Sequence, residues 1–334
     1  MIKQLLATAA LGALLTVPAI ADDINPAIVY DVGGRFDESF NQSAYTGAER
    51  FSEETGIEYA DFEIQNDAQR AQALRNFARR GLNPIIAIGF LHATAVETVA
   101  AEFPDTQFAI VDSVVDLPNV RSILFKEHEG SYLVGILAAM ASETGTVGFV
   151  GGMDIPLISA FQCGYAQGAV SADEDVEVVW AMTGTTPAAW NDPVRGGEIT
   201  QSHISSGADV VFHAAGGTGI GVLQAAADAG VLGIGVDSNQ NGLHPGSVLT
   251  SMLKRVDVAV YDYFSDAMET GGDVEDGIVV LGLAEGAVGW ADDDNNAALI
   301  SDEMRVAVDE AAQAIASGEV VVHDYRSDST CPIE

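Results

Sequence analysis

Between Ala208 and Asp257 the chain reads ADVVFHAAGGTGIGVLQAAADAGVLGIGVDSNQNGLHPGSVLTSMLKRVD. Val210–His213 is a short apolar, β-branched run of the kind buried in a parallel sheet. Gly216, Gly217, Gly219 and Gly221 then turn the chain. The spacing predicts a helix over Val222–Ala229, ended by Gly230. Val231–Val236 reads as the next strand, with Asp237 at its carboxyl end. A strand–helix–strand unit of this kind closes as a right-handed crossover between parallel strands. Ligands of open α/β sheets bind beyond the carboxyl ends of the strands. Gly216–Thr218, Asp237 and Lys254 are therefore candidates to line one crevice.

The same alternation runs through most of the chain. Strands are expected at Ala27–Tyr30, Glu58–Ile64, Pro84–Ile88, Gln107–Val111 and Ile123–Phe125. Helices are expected between them, over the stretch from Tyr45 to Phe51, Asp67–Arg80 and Ala93–Phe103, then at Gly130–Met140. Ser39 or Asn41 is the expected cap of the first. A second series follows: strands Thr146–Val150 and Val176–Ala181, helices Ser159–Ala172 and Arg195–Ser206, and a polar loop Thr183–Pro193 carrying Trp190. Beyond the first-quoted stretch come helix Val256–Met268, strand Gly277–Gly282 and helix Met304–Ile315. Two βα series imply an α/β protein of two Rossmann-like lobes with a ligand cleft between them. Crossings between lobes are expected near Phe125–Gly130, Thr250–Lys254 and Leu281–Val288. This divides the chain into a first lobe of residues 22–127 plus 255–282 and a second of 128–254 plus 283–334.

The first residues carry a different signal. Lys3 precedes an apolar run from Leu5 to Val17, and Ala19-Ile20-Ala21 precedes Asp22. That is the pattern of a secretory signal peptide over residues 1–21. The run is too short to span a hydrocarbon core of about 30 Å. In an exported chain, the two cysteines, Cys163 and Cys331, are expected to form one disulfide. Acids outnumber bases 49 to 14, and the formal charge of −35 argues against nucleic acid as a partner.

Asp31, Asp112 and Asp237 each end an expected strand, where a carboxylate can accept hydrogen bonds from a polar ligand. A cap or turn role is the alternative for each. Phe40, Phe161 and Trp190 lie on or beside cleft loops and can sandwich a planar ring. Gly217-Thr218-Gly219-Ile220-Gly221 is not a dinucleotide fingerprint, because position 222 is Val. The six histidines have no paired metal-ligand spacing, no G-x-S-x-G elbow is present, and Asp292–Asp294 reads as a solvated loop. No cofactor is expected.

Five segments together resemble the basic membrane protein family of ABC-transporter substrate-binding proteins, the group that contains purine nucleoside receptors. They are DVGGRFDESFNQSAYTGAE (Asp31–Glu49), FAIVDS (Phe108–Ser113), ADVVFHAAGGTGIGV (Ala208–Val222), IGVDSNQ (Ile234–Gln240) and VLTSMLKRVDVAVY (Val248–Tyr261). The resemblance implies a type I periplasmic-binding-protein fold, a non-enzymatic monomer, and capture of a purine nucleoside or base for an ABC permease in the inner membrane. It implies that Phe40 and Phe161 stack the base and that Asn41 and Asp112 bond its edge. It gives the ribose hydroxyls to Asp237 and Lys254, a close backbone approach to Gly216 and Gly217, and a place at the cleft to Asp31. Many relatives carry a lipid-modified cysteine at the mature N-terminus. Its lack here points to a freely diffusing periplasmic protein. The rival readings are the same fold holding a sugar or signal molecule, and a nucleoside hydrolase.

Overall fold

Short apolar runs, too short for buried helices, form the central strands of this protein. Ala27–Tyr30, Phe108–Val111 and Val210–Ala214 are buried at every position. A computed structural model describes residues 24–333; the expected signal peptide lies outside the described residues. The chain runs β1 (Ala27–Tyr30), α1 (Phe40–Thr55), β2 (Ala60–Glu63), α2 (Gln69–Arg79), β3 (Ile85–Ala87), α3 (Ala93–Glu102), β4 (Phe108–Val111) and β5 (Val120–Phe125). It continues through α4 (Glu127–Ala141), β6 (Thr146–Met153), α5 (Pro156–Ala172), β7 (Glu177–Gly184), α6 (Pro193–Ser205), β8 (Val210–Ala214), α7 (Gly219–Ala229) and β9 (Leu232–Asp237). Last come β10 (Val248–Lys254), α8 (Val256–Thr270), β11 (Gly277–Leu281), β12 (Val288–Trp290) and α9 (Asp302–Ala316).

The strands form two six-stranded sheets, ordered β11-β5-β4-β3-β1-β2 and β12-β10-β9-β8-β6-β7. Every pairing is parallel except that of β10 with β12. Five consecutive strands in each sheet share one doubly wound order. In both, the order reverses beside the first strand of the set, β1 or β6, and there the crevice opens. The chain passes between sheets after β5, after β10 and after β11.

Two strands escaped the sequence reading. Val248–Lys254 is a buried strand inside the second sheet, and the crossing follows it rather than occupying it. Thr250 and Ser251 interrupt its apolar run, but their hydroxyls are satisfied by Ala291 O at 2.7 Å and Asn241 Oδ1 at 2.9 Å. Satisfied hydroxyls cost little when buried. Val288–Trp290 is a three-residue antiparallel edge. The cap of α1 also differs from expectation. Asp37 accepts the N–H groups of Ser39, Asn41 and Gln42 at 2.9 to 3.0 Å, so neither Ser39 nor Asn41 caps α1 with its side chain.

Cys163 of α5 and Cys331 of the C-terminal tail form a disulfide, with their Cα atoms 5.6 Å apart. Helices α4 and α5 pack at very close range. A Cβ added at Gly168 would overlap Tyr132 O, one at Gly164 would overlap His128 O, and one at Gly135 would overlap Tyr165 O. Among the described residues no helix is long and apolar enough to cross a membrane.

Candidate functional site

The carboxyl ends of β1, β3, β4, β6, β8, β9 and β10 face one cavity between the sheets. Ten of the residues singled out from the sequence line it: Asp31, Phe40, Asn41, Asp112, Phe161, Trp190, Gly216, Gly217, Asp237 and Lys254; Thr218, also expected there, is buried behind the wall. The space among the lining side chains, open solvent at its mouth included, is about 630 Å³.

Two of the strand-ending acids have left-handed backbone, Asp112 at φ 67° and Asp237 at φ 63°. Asp is one of the few residues with a side chain that tolerates this region, and the conformation turns the chain sharply at the strand end. Asp237 is buried; Ser39 Oγ, from the opposite lobe, donates to its Oδ2 at 2.5 Å. Burial pushes its carboxyl up to about 7, against the pull of Lys254 and Ser39 and with the push of Asp37 and Asp112. Among the described residues, Ser39 alone donates to this carboxylate, and Oδ1 accepts nothing.

The other polar residues are already engaged with the protein. Lys254 Nζ donates to both oxygens of Asp112 at 2.7 Å and lies 3.1 Å from Glu127 Oε1. Burial alone would depress this ammonium, but Asp112, Glu127 and Asp237 reverse that and hold it above its ordinary range. Asn41 Oδ1 accepts from the Asp31 N–H at 3.0 Å, and its Nδ2 donates to Asp37 at 3.1 Å. Asp31 is paired with the buried Arg70 of α2 at 2.8 Å. Burial raises its carboxyl, and Arg70 opposes the rise. Asn41, Asp112 and Lys254 thus build the wall of the cavity through contacts to one another's neighbours. Asp237 keeps an unused oxygen.

Aromatic faces come from both lobes. Phe40 opens α1 and Phe161 lies on α5, with Lys254 Nζ 5.1 Å and 5.8 Å from their ring centroids. Trp190 is held by the loop before α6. Thr218 Oγ1 donates to Ala189 O at 2.8 Å and accepts the Asp192 N–H at 2.7 Å. Its ring covers Gly152, where a Cβ would overlap it. Phe90 meets Trp190 edge-on across the cleft, with centroids 6.4 Å apart. Gly216 takes φ +55°, and both Gly216 and Gly217 pass close to Trp190 O.

The lobes also meet directly. Ser238 Oγ donates to Ser39 O at 2.8 Å, and Gln240 Nε2 to Glu38 O at 2.8 Å. Gln240 is itself fixed by His213 and the Val236 N–H. The sequence reading missed Asp37, Phe90, Leu157 and Ile158 in the cavity wall. Phe90 lies three residues past the end of β3, so the strand-end rule could have found it. Leu157 and Ile158 look like ordinary core. Asp292 is paired with Arg305 of α9, and Asp293 accepts from Asn239, beyond β9, and from the Asn295 N–H.

Comparison with known proteins bears on the family and the fold. The family model described as ABC transporter substrate-binding protein PnrA-like, of the Bmp family, matches residues 24–324. A CD4+ T-cell-stimulating antigen of Listeria monocytogenes is 36% identical, over 90% of this chain and 88% of its own length. An uncharacterized lipoprotein of Pyrococcus horikoshii is 36% identical, over 80% of this chain and 69% of its own. The crystal structure of an ABC transporter system solute-binding protein from Aeropyrum pernix superposes with a TM-score of 0.81 at 32% identity, covering 90% of this chain and 94% of that one. Two mainly parallel sheets around a cleft, with relatives matched along nearly the whole described chain, place this protein in the Bmp family of PnrA-like ABC transporter substrate-binding proteins.

Proposed function

We propose that the protein captures a purine nucleoside or base in the cleft and delivers it to an ABC permease, without catalysing a reaction on it. The observation that carries this reading is the pairing of aromatic faces with an unsatisfied carboxylate. Phe40 and Phe161 offer faces to a flat ring, and Trp190 closes one side of the cavity. Asp237 offers an open acceptor to paired hydroxyls, and Asp112, both of whose oxygens already accept from Lys254, has only its remaining lone pairs for the ring edge. Buried acceptors of this kind select ligands that donate to them, because a ligand without donors leaves the acceptor unpaired. Phe40 and Asp112 belong to one lobe, Phe161 and Asp237 to the other. A ligand that touches both shifts the population toward the closed form. In this reading the chain is exported, and the closed form is what docks on the permease.

Titration calorimetry with adenosine, guanosine, inosine and the free bases tests it. Saturable binding of at least one is expected. Binding of none, with tight binding of a pentose or hexose, replaces it with the sugar reading, which the same carboxylate and ring faces suit.

A further inference from the structure

The crossings of the chain and its C-terminal tail converge on one buried group of charges. Glu127 opens α4 just after the first crossing and is wholly buried. Lys254 ends β10 just before the second. Arg326 belongs to the tail beyond α9. Its Nη2 donates to Phe125 O at 3.0 Å, and its Nη1 lies 3.0 Å from Glu127 Oε2. The other oxygen of Glu127 lies 3.1 Å from Lys254 Nζ, which binds Asp112. Asp324 holds the guanidinium from the far side at 3.0 Å. The tail is fastened to α5 by the Cys163–Cys331 bond and by Gln167, which bonds both the N–H and the C=O of His323.

Along this line the charges alternate: Asp324, Arg326, Glu127, Lys254, Asp112. Lys254 is contested between two carboxylates. Glu127 opens α4, which packs on α5 in the lobe of Lys254, so the lobe boundary falls before residue 127 and not after it; Asp112 lies in the opposite lobe at the cavity wall. Without Arg326, Glu127 would be a buried acid with Lys254 as its nearest cation, and a buried charge that loses a partner recruits whichever one remains. We propose that Arg326 is a positioning residue for the cleft: by pairing Glu127 it leaves the Lys254 ammonium committed to Asp112 across the lobes. The tail then governs how the lobes meet around a ligand it never touches. The same guanidinium grips Phe125 O at the first crossing, so its hold reaches a segment that joins the lobes.

The test uses the full exported chain and three variants: Arg326→Gln, Arg326→Lys and the double variant Glu127→Gln/Arg326→Gln. Calorimetry with adenosine, guanosine and inosine is one readout. It rests on the nucleoside reading. The 15N resonance of the Lys254 side-chain ammonium, assigned by its loss in Lys254→Arg, is the other and needs no ligand. Arg326→Gln is expected to weaken nucleoside binding about tenfold and to move the Lys254 resonance. Arg326→Lys is expected to stay within about threefold of the parent. The double variant should recover both affinity and resonance, because the stranded acid is gone. A tail that merely braces the fold would not be rescued by Glu127→Gln. An unmoved Lys254 resonance in Arg326→Gln, or a double variant as impaired as the single, overturns the proposal. If none of the three nucleosides binds the parent, the proposed function fails and the resonance still decides this inference. If Arg326→Gln does not fold, Glu127→Gln alone decides it. Lys254 then faces Asp112 without a rival, so affinity and the Lys254–Asp112 pairing should be kept, and loss of either overturns the proposal.

Discussion

Asp237 shows how one side chain carries both a cost to the fold and a use at the site. Its carboxyl titrates near 7 instead of 3.8 because it is buried with one donor, Ser39. Below about pH 4 it is protonated in the folded and unfolded chain alike. As pH rises from about 4 to about 7, the unfolded chain releases this proton and the folded chain keeps it, so stability falls across that window. Asp237→Asn should therefore flatten the loss of stability between about pH 4 and pH 7, measured by urea unfolding. Binding should run the other way. Ligand hydroxyls donate to the ionised form, so affinity should rise from about pH 6 to about pH 8, and calorimetry in Asp237→Asn should show a flat profile and about 10- to 100-fold weaker binding. A parent affinity that does not change over this range would remove Asp237 from ligand recognition. The residue itself was legible in the sequence, since an acid after an apolar β-branched run marks a strand end. Its pairing was not. Ser39 is almost two hundred positions away and reads locally as a helix cap, a task that Asp37 performs instead.

At the scale of elements, periodicity placed most strands and helices because their apolar residues had no other way to be buried. It failed where a polar group is satisfied by a distant partner. Thr250 and Ser251 hid β10 in this way, since their acceptors are Ala291 and Asn241. It also could not foresee how closely helices approach. Gly135, Gly164 and Gly168 are isolated glycines in apolar helical runs, where they read as weak points. In the fold they let the α4 and α5 backbones touch. Gly168→Ala should therefore destabilise the protein despite alanine's higher helix propensity. A cost of about 1–3 kcal/mol is expected from the overlap with Tyr132 O, read from the urea midpoint. A gain in stability would show that the helices separate freely, and would weaken any account in which α4 transmits strain between the lobes.

At the scale of the molecule, the disulfide and the lobe contacts act on different equilibria and can be told apart. The bond between Cys163 and Cys331 spans 168 positions and pins the tail that carries Arg326. Closing so long a loop restricts the unfolded chain, and replacing both cysteines by serine should cost about 2–5 kcal/mol of unfolding free energy. Ser39, Ser238 and Gln240 instead join the lobes to each other. Gln240 Oε1 also accepts the Val236 N–H and pairs with His213 inside its own lobe, so Gln240→Ala should lower the urea midpoint as well as shift the open–closed balance. If Gln240 contributes one ordinary hydrogen bond to closure, its loss reduces the closed-to-open ratio of the free protein about two- to tenfold. Apparent affinity should fall by at most the same factor, because it follows the closed fraction that a ligand gripping both lobes must restore. Small-angle scattering should show a larger radius of gyration for ligand-free Gln240→Ala, returning to the parent value when ligand saturates the cleft. A variant that loses affinity without expanding would locate the effect of Gln240 in His213 and the Val236 strand end, which it also holds, rather than in closure.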